Sequence, residues 1–134
     1  MKLDKIIVVL ILSLISCSQD NENRIGGRWQ ATSIESPRHS LRTDSLFWSF
    51  DKGVCELQTL RRSYPHNAEQ IYASYLMNDD SIKISVISKH VNIVKYDKYL
   101  DWTTKERKFA IRELTSKSLK LSVNDTIYSF RKYY

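Results

Sequence analysis

Glycine is scarce in this chain: three residues in 134, alongside two prolines and two cysteines. That leaves no Gly-rich loop to cradle a phosphate and no G-x-S-x-G elbow to raise a nucleophilic serine. Turns must instead be made by Asn, Asp, Ser and Lys. Two cysteines are too few for a disulfide framework. The three histidines, His39, His66 and His90, stand in or beside polar loop segments, with no i, i+4 or H-x-H spacing suited to a metal. The paired carboxylates Asp79-Asp80 sit in a turn, where bonding to the local backbone accounts for them. No catalytic residue, metal or cofactor is expected. No run of like charge is long enough for an obvious patch; Arg61-Arg62 and the stretch from Lys105 to Lys108 are the densest. No long hydrophobic run exists either. The apolar stretch from Ile6 to Ile15 is about ten residues, against roughly 20 for a membrane-spanning helix.

That short run gains meaning from its flanks. Lys2 and Lys5 precede it, with Asp4 between them weakening the positive charge, and Leu14-Ile15-Ser16-Cys17 closes it. A basic start, a short apolar core and a small residue before a cysteine form the layout of a bacterial lipoprotein signal peptide. Residues 1–16 are expected to be removed and Cys17 to carry the lipid. A plain secretory signal and an uncleaved anchor are the alternatives. Each buried acyl CH₂ contributes about 0.8 kcal/mol, so two or three chains hold a protein on a membrane almost permanently. Residues 17–25 (Ser18-Gln19-Asp20-Asn21-Glu22-Asn23-Arg24 at their centre) are polar and aperiodic, and read as a flexible tether. Residues 26–134 form one domain, with a single modest core.

The chain carries a formal net charge of +6, and removing Lys2, Lys5 and Asp4 leaves about +5. A basic balance suits nucleic acid, anionic lipid or an acidic partner. Export argues against nucleic acid. Lipidation of Cys17 leaves Cys55 alone, in an alternating apolar pattern that reads as a small buried hydrophobe.

Composition favours β structure, with Tyr 8, Phe 4 and Trp 3 and many Ile, Val, Thr and Ser. Alternation predicts strands over Gly27 to Ile34 (Trp29, Ala31 and Ser33 on one face), Ser45 to Phe50, Val54 to Leu60, Gln70 to Met77, Ser81 to Ser88, Lys108 to Leu114, Ser118 to Val123 and Thr126 to Lys132. Asp51-Lys52-Gly53, Asn78-Asp79-Asp80, Thr115-Ser116-Lys117 and Asn124-Asp125 are the turns. Ser36-Pro37-Arg38-His39-Ser40 reads as a break and Arg61 to Ala68 as a loop. The spacing in Lys89 to Lys108 is mixed and fits a strand, a short helix near Asp97 to Thr103, or both. Eight short strands with tight links imply an all-β, antiparallel, up-and-down arrangement. Closing it into a barrel removes the exposed edges. An eight-stranded interior is filled by side chains or by one small ligand.

Gly27-Arg28-Trp29 resembles the Gly-x-Trp opening of the lipocalin first strand. Leu119-Lys120-Leu121 through Tyr128-Ser129-Phe130-Arg131-Lys132 is similar to the ending of small lipocalin-like lipoproteins of Bacteroidota. The resemblance implies a lipocalin-like barrel whose base is closed by Trp29, with a basic residue of the last strand, Arg131 or Lys132, lying over it. Asp20 and Glu22 also resemble, in a sparse form, the acidic signal that follows the lipid cysteine in surface-exported proteins of such bacteria. The outer membrane is the expected location, in either leaflet.

Trp48, Phe50, Tyr75, Phe109, Tyr128 and Phe130 are the candidates for the inward face. Either they fill the barrel or some line an apolar pocket open at one end. The first reading of function is therefore a lipid-anchored, non-catalytic binder of a small apolar ligand. The second is a ligand-free barrel that acts as an interaction or inhibitor module for an envelope protein. A third, an OB-like barrel for an anionic polymer such as an acidic glycan, fits the basic and aromatic composition.

Overall fold

The computed structural model describes residues 21–60, 68–87 and 105–134. After a helical turn at residues 21–25 it contains nine strands: β1 (Gly27–Glu35), β2 (Ser40–Arg42), β3 (Leu46–Asp51), β4 (Val54–Leu60), β5 (Ala68–Met77), β6 (Ser81–Val86), β7 (Glu106–Leu114), β8 (Ser118–Val123) and β9 (Thr126–Tyr133). All pairings are antiparallel, and β3 to β9 follow one another around the sheet in chain order. β1 pairs with β3 on one side and β9 on the other, which closes an eight-stranded barrel. The ninth strand is the short β2. It continues the β3 edge of β1, pairing Ser33 to Glu35 where β3 pairs Gly27 to Gln30. The expected break at residues 36–40 is thus shorter than read, and a strand of three exposed residues follows it.

The scarce-glycine turns work through side chains. Asn78 Oδ1 accepts from the backbone N–H of Asp80 at 2.9 Å and of Ser81 at 2.8 Å. Thr115 Oγ1 accepts from the Ser118 N–H at 2.9 Å. Asn124 takes the left-handed backbone with φ 50°, as a two-residue hairpin turn requires. Lys52 also takes a left-handed backbone, with φ 45°, and Gly53 completes that link at φ 85°.

Two bulges decide which residues face inward. Between Ala31 and Ser33 the β1–β9 register slips, leaving Thr32 unpaired, with its hydroxyl on the Ser129 carbonyl at 3.1 Å. The alternation inverts there, so Trp29 and Ala31 are followed into the core by Ile34 rather than by Ser33. A second slip at Arg112 lets Ile111 and then Leu114 pack inward from β7. Arg112 points out and donates from Nε to Ser122 Oγ at 2.8 Å.

The core holds Leu46, Trp48 and Phe50 of β3, Cys55 and Leu57 of β4, Ile82 and Ile84 of β6, Leu119 and Leu121 of β8, and Tyr128 and Phe130 of β9. Ile25, the last residue of the helical turn, is fully buried. The polar stretch expected as tether through residue 25 is therefore folded against the barrel from residue 21. β5 and β7 each begin two residues earlier than expected. Residues 1–20 with Cys17, most of the Arg61 to Ala68 loop with His66, and residues 89–104 of the unassigned stretch with His90 lie outside the described residues.

Gly27 is the glycine whose backbone matters most. It has φ 109°, and a Cβ there would meet Lys132 Nζ at 2.8 Å. Gly27→Ala is expected to cost about 1–3 kcal/mol, seen as a lower urea midpoint with unchanged m-value. A midpoint unchanged from wild type contradicts the role.

Candidate functional site

The barrel has a closed end. Ile25 plugs it, and Trp29 Nε1 donates to the Ile25 carbonyl at 2.8 Å. Lys132 reaches across from β9, its ammonium 4.5 Å from the centre of the Trp29 ring. The same ammonium donates to the carbonyls of Gly26 and Arg24. Burial pushes the Lys132 pKa down. One aromatic face, one cation and two carbonyls thus tie the first strand, the last strand and the helical turn together.

Of the two basic residues proposed for this place, Lys132 occupies it and Arg131 does not. Phe130 faces the core, so Arg131 falls on the outer face by alternation. There its Nε donates to Gln30 Oε1 at 2.7 Å, and Gln30 Nε2 donates to the Asp44 carbonyl at 2.8 Å.

The six aromatic candidates are all buried. Trp48 is the hub: its ring centroid lies 4.9 Å from Phe130, 5.7 Å from Phe109 and 6.0 Å from Tyr128. Phe109 and Tyr128 meet edge to face at 5.5 Å. β3 and β7 stand opposite each other around the barrel, so the Trp48–Phe109 contact crosses it. These four rings fill the middle layer. Phe50 and Tyr75 form a separate edge-to-face pair at 5.2 Å. Burial, ahead of smaller charge effects, raises the Tyr75 pKa.

Toward the other end Ile34, Val86 and Val123, near the ends of β1, β6 and β8, are partly buried against the core, as Met77, Ile111 and Leu114 are toward the base. Thr59 adds a buried hydroxyl from β4. Arg107 shares the inward face of β7 with Phe109, its guanidinium carbon 6.0 Å from the Phe109 ring centre. It gives this end a positive charge beside apolar neighbours. A strand expected from Lys108 onward leaves Arg107 out, and its spacing of two from Phe109 is the signal that includes it.

A second cluster was missed because it lies on the outside. Phe47 alternates with core residues and points outward, yet it is 3% exposed. Tyr133 packs on it edge to face at 5.1 Å, and the Arg28 guanidinium lies 4.2 Å from its ring centre and 5.2 Å from that of Tyr133. Arg28 also donates to Gln58 Oε1 at 2.8 Å. No periodicity marks an outward residue as buried.

Cys55 is fully buried, and burial raises its thiol pKa well above the ordinary 9.0. The folded thiol keeps its proton while the unfolded chain loses it above pH 9.0. Folded protein then binds more protons, so stability falls as pH rises past 9, by up to about 1.4 kcal/mol per pH unit for this group. Tyr75, also raised, acts in the same direction above 10.0; Lys132, lowered from 10.5, acts in the opposite one. Cys55→Ala is expected to flatten the alkaline loss measured by denaturation between pH 8 and 10. In a Cys17→Ser background, Cys55 is expected to resist a thiol reagent until the chain unfolds. Rapid labelling of the native protein contradicts both expectations.

Among the described residues no group of three or more His, Cys, Asp or Glu is placed to hold a metal. Comparison with curated proteins returned no match. Solved structures are similar to this chain, among them two from Bacteroides. One is a lipocalin-like protein from Bacteroides uniformis, with 26% identity and a TM-score of 0.73, covering 82% of this chain and 99% of that one. The other is an uncharacterized protein from Bacteroides eggerthii, with 29% identity and a TM-score of 0.71, covering 81% and 98%. The family model for the lipocalin-like domain matches residues 10–133. With its closed eight-stranded barrel and its Trp29 base, this chain belongs to the lipocalin-like domain family.

Proposed function

We propose that this is a lipid-anchored envelope protein that binds a small apolar ligand, without catalysis, at the end of the barrel opposite Trp29. The observation that carries this reading is the contrast between the two ends. One is shut by Ile25, Trp29 and Lys132; the other presents half-buried Ile34, Val86 and Val123 above a floor of packed rings. An apolar recess with few polar groups is the usual form of a small-molecule site. The anchor reading rests on Leu14-Ile15-Ser16-Cys17 and its basic, apolar lead-in. The chain enters the fold at the closed base, so a lipid on Cys17 leaves the receptive end facing away from the membrane.

Native mass spectrometry after gentle purification tests the binding. A retained apolar mass that disappears in Val123→Trp, which fills the recess, is the expected result. A chain that never carries or takes up an apolar molecule overturns it. For the anchor, Cys17→Ala is expected to move the protein from the membrane to the soluble fraction; unchanged membrane association refutes lipidation there. The filled middle layer favours one other reading, a ligand-free module for an envelope protein partner. Crosslinking in intact cells that captures a specific neighbour supports it.

A further inference from the structure

The outer wall carries a groove of about 780 Å³ over β1, β3, β4 and β5. Register explains its composition. Arg28 pairs with Ser49, Ser49 with Glu56, and Glu56 with Tyr72, so four outward side chains form one row across four strands. Adjacent strands lie about 4.8 Å apart, so the row spans about 14 Å. Gly26 and Gly27 lower one bank, while Asp51 and half-exposed Val54 border the row on the turn side. Arg28 is fixed by the Phe47 and Tyr133 rings and by Gln58, whereas Tyr72 stands half exposed. Arg28, Ser49, Glu56 and Tyr72 therefore line one groove, and of these Arg28 is already held in place before a ligand binds.

We propose that this row binds a neutral saccharide chain of two to three sugar units, independently of the barrel interior. A pyranose offers an apolar C–H face for Tyr72. Its hydroxyls both donate and accept, matching a carboxylate that accepts and a guanidinium that donates. Asp51 and Glu56 disfavour a polyanion. β3 and β4 have ladders on both sides, which excludes a peptide added as a strand. A purely apolar ligand would leave charged groups on the row unmatched.

The test uses the full chain, purified from membranes in a sugar-free detergent. Maltotetraose, cellotetraose and triacetylchitotriose are the probes, with trigalacturonate and tetralysine as the charged comparisons. Calorimetry is expected to show at least one neutral probe binding with Kd of about 1 mM or tighter. Tyr72→Ala is expected to weaken it about tenfold or more and Glu56→Gln about fivefold. Tyr72→Phe retains the ring and binding, and Lys108→Ala on the opposite wall changes nothing. Each variant's melting curve should match wild type, since Tyr72 and Glu56 lie outside the core. Absence of binding by all three neutral probes overturns the proposal. So does binding indifferent to Tyr72→Ala, or a preference for trigalacturonate or tetralysine.

Discussion

Trp48→Ala is expected to remove about 3–5 kcal/mol of stability, a large part of what a domain this size has to lose. The ring touches Phe109, Tyr128 and Phe130, from two other strands, so no single neighbour can move in to fill the space. The barrel wall also resists collapse, because each of the eight barrel strands is hydrogen-bonded on both sides. The expected result in urea is a midpoint far below wild type, or a compact state that binds an apolar dye and has lost its near-ultraviolet signal. Trp48→Phe should recover part of the loss, since a smaller ring keeps some of the contacts. A Trp48→Ala variant within about 1 kcal/mol of wild type would show that the middle layer is not packed as described.

The second large effect falls at the base. Trp29→Ala is also expected to cost about 3–5 kcal/mol, but with a different signature. It opens a void beneath Lys132 and removes the donor to the Ile25 carbonyl, so the helical turn at residues 21–25 loses its attachment. Amide exchange should therefore rise first at residues 21–28, and proteolysis should begin there while the far strands stay protected. Trp29→Phe separates the two contributions. It retains most of the volume but leaves the Ile25 carbonyl unmatched, a loss of about 1–3 kcal/mol. If Trp29→Phe equals wild type in both stability and exchange, the hydrogen bond has no role in closing the base.

Both effects trace to residues that alternation had marked. Trp29, Trp48, Phe109, Tyr128 and Phe130 hold the inward positions of the alternation in their strands, and all five are buried. Where alternation misled, a specific local event intervened. The bulge at Thr32 inverts the pattern, which exchanges Ser33 for Ile34 on the inward face. A bulge inserts one residue without a distinctive sequence, so it is invisible until the partner strand is in place. Phe47 shows the complementary limit. Its outward direction followed from the pattern, but its burial depends on Tyr133 and Arg28, which come from β9 and β1.

The choice between Arg131 and Lys132 is the clearest case. A basic residue from the last strand over Trp29 was expected from the resemblance, and adjacent candidates point to opposite faces of one strand. Alternation from inward-facing Phe130 puts Lys132 inside and Arg131 outside, and the structure adds the contact of the Lys132 ammonium with the Trp29 ring.

By itself, the sequence determined the β class, the hairpin turns without glycine, the apolar face of most strands and the family-like ends of the domain. These are local properties, carried by a period of two and by side chains that bond their own backbone. The tertiary structure decided the closure of β1 on β9, the bulges, the capping helical turn with Ile25, the cation over Trp29 and the row from Arg28 to Tyr72. Each of these depends on residues far apart in the chain meeting in one register, and no local pattern encodes a register between distant strands.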